Sequence, residues 1–113
     1  MTRAILGDDR PSLECLPPRA LRFLASAFEV GANKYDGPMN WRVEGIVASE
    51  YYAKALRHLT AWFEGEDRTR DDGHHHLAAA AADILILIDA MLGGSLNDDR
   101  PTIANIVSRR GKR

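Results

Sequence analysis

The sequence has one cysteine and no excess of positive charge, and these two absences narrow the possible functions. Cys15 is the single cysteine in 113 residues, which excludes an intramolecular disulfide and a cysteine-based zinc motif. The 15 Lys and Arg residues are balanced by 16 Asp and Glu residues, for a net charge of −1. Strong binding to nucleic acid depends on an excess of positive charge. We therefore expect a cytoplasmic protein without a stable nucleic-acid partner.

Long apolar runs and the usual motifs of nucleophilic catalysis are also absent. The longest apolar run, residues 77–87, is interrupted by Asp83 and is too short to span a bilayer. The first residues lack the apolar core of a signal peptide, so we expect no membrane role. The sequence has no GxSxG motif and no Walker-type phosphate loop, and Cys15 has no base partner nearby in sequence. What remains is metal-assisted attack of water on a phosphate.

Helical periodicity is what the sequence does contain. A first helix is predicted from Pro17 and Pro18 to a stop at Gly31, because proline favours the first turn and glycine follows the last. A second helix is predicted over residues 48–63, which lack glycine and proline and repeat apolar residues at helical spacing. A third, almost uniformly apolar helix follows a polar turn, in which Asp71 or Asp72 is a candidate cap. It stops at residues 93–94 and is expected to be packed on all sides.

These elements predict a small antiparallel all-α helix bundle. With 113 residues and 45% apolar content, the chain has room for one domain, residues 1–113. No strand pattern is visible. An irregular N-terminal lead-in precedes the first helix, and the C-terminal segment has at most one short helix, around residues 102–108, before a basic tail.

Two residues of the third helix are candidates for chemistry. His76 and Asp83 are seven residues apart and share a helix face, and the alanines between them leave room for a ligand. An aspartate within an apolar helix is costly to bury unless it is paired or bound to a cation. The alternatives are that Asp83 lies on a solvent-exposed stripe or bonds a basic residue such as Arg57.

A cluster of acids ends the second helix, where the chain turns back. The short turn brings the last turn of one helix close to the first turn of the next, so Glu66 and His76 are expected to converge. Carboxylates with an imidazole suit Mg²⁺ or Mn²⁺, because hard divalent cations prefer oxygen ligands. Glu64 and Asp67 are secondary candidates for the same ion. The alternative is an acidic surface that serves only solubility.

Substrate-binding candidates lie on the second helix and in the loop before it. Arginine and lysine bind phosphates, and a loop with aromatic and amide side chains can hold a base or sugar. A histidine beside an aromatic, such as His58 four residues before Trp62, is more often a packed core residue than a ligand. The aromatic loop residues can equally fasten the loop to the core. The candidates are Lys34, Tyr35, Asn40, Trp41, Arg57 and His58.

The order of several short motifs resembles a known family. The sequence runs from "LPPRAL" through "FEVGANKYDGPMNW" and "ALRHLTAWFEGED" to "DGHHHLAAAAADILIL". This resembles the phage-associated dATP/dGTP diphosphohydrolase family, which is MazG-like and belongs to the all-α NTP pyrophosphohydrolases. The resemblance covers roughly residues 9–92, and it depends on the spacing of motifs that are individually weak.

The resemblance implies hydrolysis of a purine (deoxy)nucleoside triphosphate, such as dGTP or dATP, to the monophosphate and pyrophosphate with Mg²⁺ or Mn²⁺. It implies a homo-oligomer, a dimer or tetramer, in the cytoplasm, or the host cytoplasm if the chain is phage-encoded. In that family's pattern Glu66 is the glutamate of the GE motif, and His76 is the first histidine of the HLAH motif. Asp83 occupies the aspartate position of the wider superfamily's ExxD motif.

Three positions depart from these patterns. Ala79 replaces the second histidine of HLAH, Thr69 replaces an acid expected after GE, and Ala80 replaces the ExxD glutamate. The resemblance predicts a metal set of Glu66, His76 and Asp83, with Glu66 and Asp83 as catalytic acids. The departures leave open a catalytically weak or inactive relative that binds nucleotide or metal. A further alternative is a small helical DNA-interacting or assembly protein that uses its basic tail.

Overall fold

The computed structural model describes residues 10–111. Its main elements are five α-helices and two very short strands. In chain order they are a 3-10 turn Leu13–Cys15, α1 Pro18–Lys34, α2 Trp41–Glu44, β1 Ile46–Val47, α3 Ala48–Phe63, α4 His76–Gly93, β2 Leu96–Asn97 and α5 Ile103–Gly111. The predicted all-α helix bundle is confirmed. Residues 1–9 of the predicted lead-in and residues 112–113 of the basic tail lie outside the described range.

Helix α1 begins where it was predicted and ends later. Pro18 occupies its first position, where the missing N–H has no intrahelical partner to lose. The prediction of a stop at Gly31 is wrong, because the helix continues to Lys34 and the N–H of Tyr35 still bonds the Gly31 carbonyl. A glycine inside a helix costs only about 1 kcal/mol relative to alanine, so it does not by itself end one. The chain turns instead at Gly37, whose φ is 90°.

Helices α3 and α4 form an antiparallel hairpin at the centre of the fold. The bounds of α3 agree with the predicted residues 48–63. At the start of α4 the His75 side chain accepts the N–H of Leu77, so His75 is the cap and the prediction of Asp71 or Asp72 is wrong. Asp72 instead bonds Thr69 and His74 within the turn. Gly94, with φ 82°, ends α4 in the left-handed conformation as predicted.

Alanines form the core where α4 packs against α1 and α3. Ala78, Ala80 and Ala90 are at most 2% exposed, whereas no large side chain in the described residues is fully buried. Ala27 of α1 packs against Ala78 and Ala82, with Phe28 beside them. Small side chains allow the helix backbones to approach closely, so the helix contact itself is tightly packed. The open space lies next to this contact.

The apolar surface of the hairpin is only partly covered. α4 is long and apolar enough to cross a membrane by length and composition alone. A core helix meets the same criteria, and the alanine side of α4 is packed on two other helices, which is consistent with a soluble protein. The prediction that α4 is packed on all sides is nevertheless wrong within this chain. Residues Ile84, Leu85, Ile88, Met91 and Leu92 are exposed, as are Tyr52, Leu56, Leu59, Trp62 and Phe63 of α3.

A two-residue parallel strand pair, which the sequence analysis does not predict, joins the loops at one end of the hairpin. Ile46 pairs with Leu96 and Val47 with Asn97. The pair is too short to show an alternating pattern in the sequence. Gly45 immediately precedes it, with φ 77° and ψ 164°, and a Cβ there would lie 3.2 Å from the carbonyl oxygen of Ser95. Only glycine adopts this backbone conformation without strain.

We predict opposite effects for alanine at two glycines. Gly45→Ala is expected to lower the free energy of unfolding by about 1–3 kcal/mol, since it adds strain and crowds the Ser95 carbonyl. Gly31→Ala, inside α1 with nothing within 4 Å of the new Cβ, should raise it by about 0.5–1 kcal/mol. Urea unfolding of both variants beside the parent chain measures the difference. Equal effects of the two substitutions would contradict this account.

Candidate active site

A cavity of about 640 Å³ opens between α1, the loop of residues 35–42, α3 and α4. Its size falls within the range of small-molecule binding pockets. All six predicted substrate-binding residues line it: Lys34, Tyr35, Asn40, Trp41, Arg57 and His58. Of the predicted metal ligands, only Asp83 lines it. The sequence therefore located the walls of the pocket better than it located an ion.

One face of α3 supplies the polar wall. Tyr51, Lys54, Arg57 and His58 follow one another at intervals of three, three and one residues, so they fall on one side of the helix. The ammonium of Lys54 lies 4.4 Å from the centre of the Tyr51 ring, a cation–π contact that holds it in place. This wall brings two positive charges and an imidazole to the cavity.

Asp83 faces this wall from α4. Its Oδ2 atom is buried and has no hydrogen-bond partner among the described residues. Burial raises the pKa of Asp83 from 3.8 to about 6, and the charges of Lys54, Arg57 and His74 only partly offset that cost. The alternative that Asp83 bonds Arg57 is not observed as a direct bond, and the two side chains interact only through their charges. A half-buried carboxyl with an unused oxygen in a cavity is a candidate functional group.

A chain of three side chains runs from the hairpin turn to the pocket. The Nε2 of buried His76 lies 2.6 Å from Glu66 Oε1, and its Nδ1 lies 2.8 Å from His58 Nδ1. The predicted convergence of Glu66 and His76 is therefore observed. The hydrogen bond from His76 lowers the pKa of Glu66, with Arg70 adding to the effect. Burial lowers the pKa of His58, and His76, His74 and Arg57 lower it further.

Asp89 fastens the loop wall of the pocket to α4. Its Oδ2 accepts the indole N–H of Trp41 at 2.7 Å and Nε of Arg42 at 2.8 Å, while Oδ1 accepts Nη2 of Arg42 at 2.7 Å. These bonds lower the pKa of Asp89 to about 2, with Arg42 the larger cause. Trp41 is buried and rests against Phe28. It thus fastens the loop to the core, the alternative considered above, and contributes a pocket wall at the same time.

The other predicted substrate-binding residues have more freedom. Tyr35 is exposed at the mouth of the pocket, and Asn40 donates from its amide to Glu44 at 3.3 Å. The ammonium of Lys34 lies 3.7–3.8 Å from the carboxylates of Asp71 and Asp72. Exposed ion pairs of this kind are weak, so the lysine remains available to a more highly charged anion. The hairpin turn therefore reaches across to α1 at the rim of the pocket.

Comparison with protein families decides the relationship of this chain. Residues 2–100 match the family described as dATP/dGTP diphosphohydrolase, N-terminal. The chain belongs to this dATP/dGTP diphosphohydrolase family. The match includes every residue that lines the pocket, and the predicted resemblance is confirmed. Comparisons with curated proteins and with solved structures give no match.

The metal set that the family resemblance implied does not assemble into one site. Across residues 10–111, no group of three or more His, Cys, Asp or Glu side chains is placed to hold an ion. The reason is geometric, because seven residues of helix separate His76 from Asp83 by about 10 Å along the axis, whereas such ions sit about 2.0–2.6 Å from their ligands. Both ring nitrogens of His76 are already engaged. The set Glu66, His76 and Asp83 therefore does not fit a single shared ion.

The secondary metal candidates also lie elsewhere. Glu64 borders a more open groove along α3 and does not line the cavity, although Arg57 lines both. Asp67 is exposed, and its Oδ1 lies 3.9 Å from Nε2 of His75. Its backbone carbonyl accepts the N–H of His76 at 2.8 Å, so the residue serves the turn. The carboxylates at the end of α3 therefore belong to the hairpin turn and do not converge on one ion position.

Tyr51, Lys54 and Asp89 are among the pocket residues that were not predicted from the sequence. Tyr51 and Lys54 were detectable, since they precede Arg57 and His58 by helical intervals on the same face. Asp89 gave no such signal, because its partners Trp41 and Arg42 lie almost 50 residues before it in the chain. Helical periodicity identifies residues on one face, but it does not identify the partner that a distant segment brings.

We predict that Asp83→Asn stabilises the protein at neutral pH and not in acid. Between pH 3.8 and about 6 the folded state keeps a proton on Asp83 that the unfolded chain has released, so stability from this group falls as pH rises through that window. The free energy of unfolding of the variant should equal that of the parent near pH 4. At pH 7.5 it should be about 1–2 kcal/mol higher, a figure that allows for the partial exposure of Asp83. Urea unfolding at both pH values measures the difference.

Asp98→Asn is the matched control, because Arg100 lowers the pKa of Asp98 to about 2. Its carboxylate stabilises the fold above the unfolded pKa, and that stabilisation is lost as pH falls through the folded value. The Asp98 variant is therefore expected to be the less stable one at pH 7.5. An Asp83 variant that is also less stable at pH 7.5 would contradict the assignment of an uncompensated buried carboxyl.

Proposed function

We propose that this chain hydrolyses a purine deoxynucleoside triphosphate of the dATP or dGTP kind to the monophosphate and pyrophosphate. The observation that carries the proposal is the positive wall of α3, where Lys54 and Arg57 face a cavity of nucleotide size. The family description names the same class of substrate, and its match covers the whole pocket. A diphosphohydrolase needs positive charge where the triphosphate lies.

The pocket supports a division of roles. Arg57, Lys54 and Lys34 would bind phosphate oxygens, with Arg57 offering two donors to one phosphate. Tyr35 and Asn40, at the opposite rim, would hold the base or sugar, and Trp41 would keep that wall in place. Of the two predicted catalytic acids, Asp83 lines the cavity and would face the substrate directly. Glu66 would act only through His76.

The predicted Mg²⁺ or Mn²⁺ requirement stays a prediction. The described residues do not form the three-ligand site that was expected for one ion. Turnover measured with Mg²⁺, with Mn²⁺ and with excess EDTA would decide whether an added ion is needed. The roles proposed above for Arg57, Lys54 and Tyr35 concern direct contacts with the nucleotide and do not pass through an ion.

The proposal also includes a homo-oligomer. Tyr52, Leu56, Leu59 and Phe63 are exposed on α3 at intervals of four, three and four residues, the spacing of an apolar helix–helix seam. A standard interface buries about 800 Å² on each partner. A second copy that packs its own α3 on this stripe would cover it by two-fold symmetry.

We predict that Arg57→Ala lowers kcat/KM for dGTP or dATP by about 10–100-fold, the effect of losing a charge-assisted hydrogen bond to phosphate. Release of monophosphate and pyrophosphate from each of the common (d)NTPs measures it. Arg22→Ala, on the exposed side of α1, is the control and should keep the parent rate. The proposed function fails if the parent chain turns over no nucleoside triphosphate in any of the three metal conditions.

We predict that Leu56→Glu disrupts the oligomer. A charge in the centre of the apolar stripe has no partner to pair with and costs its desolvation when the interface forms. Light scattering coupled to size-exclusion chromatography should give a lower mass for this variant than for the parent chain. Val43→Glu, which changes an exposed apolar residue outside the stripe, should keep the parent mass. A parent chain that elutes as a monomer at high concentration would overturn the proposal.

A further inference from the structure

Glu66, His76 and His58 form a continuous hydrogen-bonded line that ends in the pocket. His76 lies between the other two and is 6% exposed. Its Nε2 contacts Glu66 at 2.6 Å, and its Nδ1 contacts His58 Nδ1 at 2.8 Å. His58 lines the pocket, whereas Glu66 and His76 do not. The line therefore connects a carboxylate that does not line the pocket with a ring, that of His58, that does.

The hydrogen bonds along this line determine which ring nitrogen of His76 and of His58 carries a proton. Glu66 is ionised at neutral pH, since its pKa is lowered, and an ionised carboxylate only accepts hydrogen bonds. The His76 Nε2 atom must therefore carry a proton. With His76 in its neutral form, its one proton is on Nε2 and its Nδ1 is an acceptor. The two Nδ1 atoms lie within hydrogen-bond distance, and the proton between them must then belong to His58. The Nε2 atom of His58 is left without a proton.

This unprotonated nitrogen has no competing partner. No described residue hydrogen-bonds His58 Nε2, and the nearest ring, that of His74, packs against His58 edge-on at 6.1 Å. Burial disfavours a positive charge on the resting His58, as do His76, His74 and Arg57, whereas Asp71 favours it. In the Nδ1–H tautomer, the Nε2 lone pair of His58 is open to a ligand in the pocket.

We propose that His58 is the general base of the reaction, and that Glu66 and His76 are positioning residues that hold it in the Nδ1–H tautomer. The inference rests on the proposed function for its substrate, a purine deoxynucleoside triphosphate. The arrangement is that of a base oriented by a second group, which is in turn oriented by a carboxylate. Glu66 and His76 do not share an ion site with Asp83, so a metal does not explain their arrangement. The positioning role explains it.

The proton transfer balances within the pocket. A water oxygen attacks the phosphorus that remains with the nucleoside, and a new P–O bond forms. The water proton moves to His58 Nε2 as that bond forms. The P–O bond to the departing pyrophosphate breaks, and its electron pair leaves on the bridging oxygen. The His58 imidazolium then donates through Nδ1–H to neutral His76, whose Nε2–H donates to the Glu66 carboxylate. Loss of the proton from Nε2 to solvent restores the base.

The tautomers can be measured without any turnover. Long-range ¹H–¹⁵N correlation of the parent chain, labelled at its four histidines, distinguishes Nδ1–H, Nε2–H and doubly protonated rings. We expect His58 as the Nδ1–H tautomer and His76 as the Nε2–H tautomer at pH 7.5. Assignment comes from the loss of each signal in His58→Gln and His76→Gln. A proton on Nε2 of resting His58, including one caused by a doubly protonated His76, would overturn the proposal.

Kinetics tests the role of the base. His58→Ala should lower kcat by about 100-fold or more with little change in KM, which is the usual contribution of a general base. Added imidazole should restore part of the rate, because it fills the space that the ring leaves, whereas it should not affect a variant that has lost its fold. Glu29→Gln on the exposed side of α1 is the control. Undiminished turnover by His58→Ala would refute the assignment.

The positioning role predicts a shift in pH dependence. Glu66→Gln keeps an oxygen that accepts the His76 proton but removes the negative charge that stabilises the protonated line. The acidic limb of the kcat/KM profile should therefore move to lower pH, with a lower rate at its plateau. An unshifted limb would exclude the line as the source of the ionisation. If no triphosphate is hydrolysed, the proposed function fails, and the ¹⁵N spectra still decide the tautomers.

Discussion

The close approach of α4 to its two neighbours is the constraint on which the rest of the structure depends. Alanines at residues 78–80 and 82 are buried, and no large side chain in the described part of the chain fills the contact. Helices that touch through methyl groups align their faces closely and have little room for local adjustment. The polar side chains at either end of the alanine segment, His76 and Asp83, are consequently held in fixed positions against α3.

His76 and Asp83 are both buried at least in part, but they differ in whether their polar atoms have hydrogen-bond partners. His76 has a partner for each ring nitrogen, so the cost of removing it from water is compensated. Asp83 has a buried oxygen with no hydrogen-bond partner among residues 10–111, so part of that cost remains. An uncompensated group is tolerated where it serves a site, and here it faces the cavity between α1, α3 and α4. The same helix thus carries a satisfied group behind the pocket wall and an unsatisfied one within it.

Local signals predicted where the longer helices lie, although they misplaced the end of α1 and the cap of α4, and they could not predict the long-range contacts. Residues 48–63 have no helix breaker, and Gly94 ends α4 in a conformation that glycine favours, so both bounds were accessible. His76 and Asp83 share a face, as predicted, but a shared face does not give a shared ion when two turns lie between them. His58 was expected to be packed in the core or to bind substrate, and the partner that fixes its proton lies 18 residues away. No pattern within one helix contains that information.

The strand pair at Ile46 and Leu96 has a mechanical consequence. The turn of residues 64–75 connects α3 and α4 at one end, and the strand pair connects the adjoining loops at the other. Because α3 and α4 are connected at both ends, they cannot separate unless a helix bends or one of these connections breaks. The wall formed by α3 and α4 is therefore the rigid frame of the cavity.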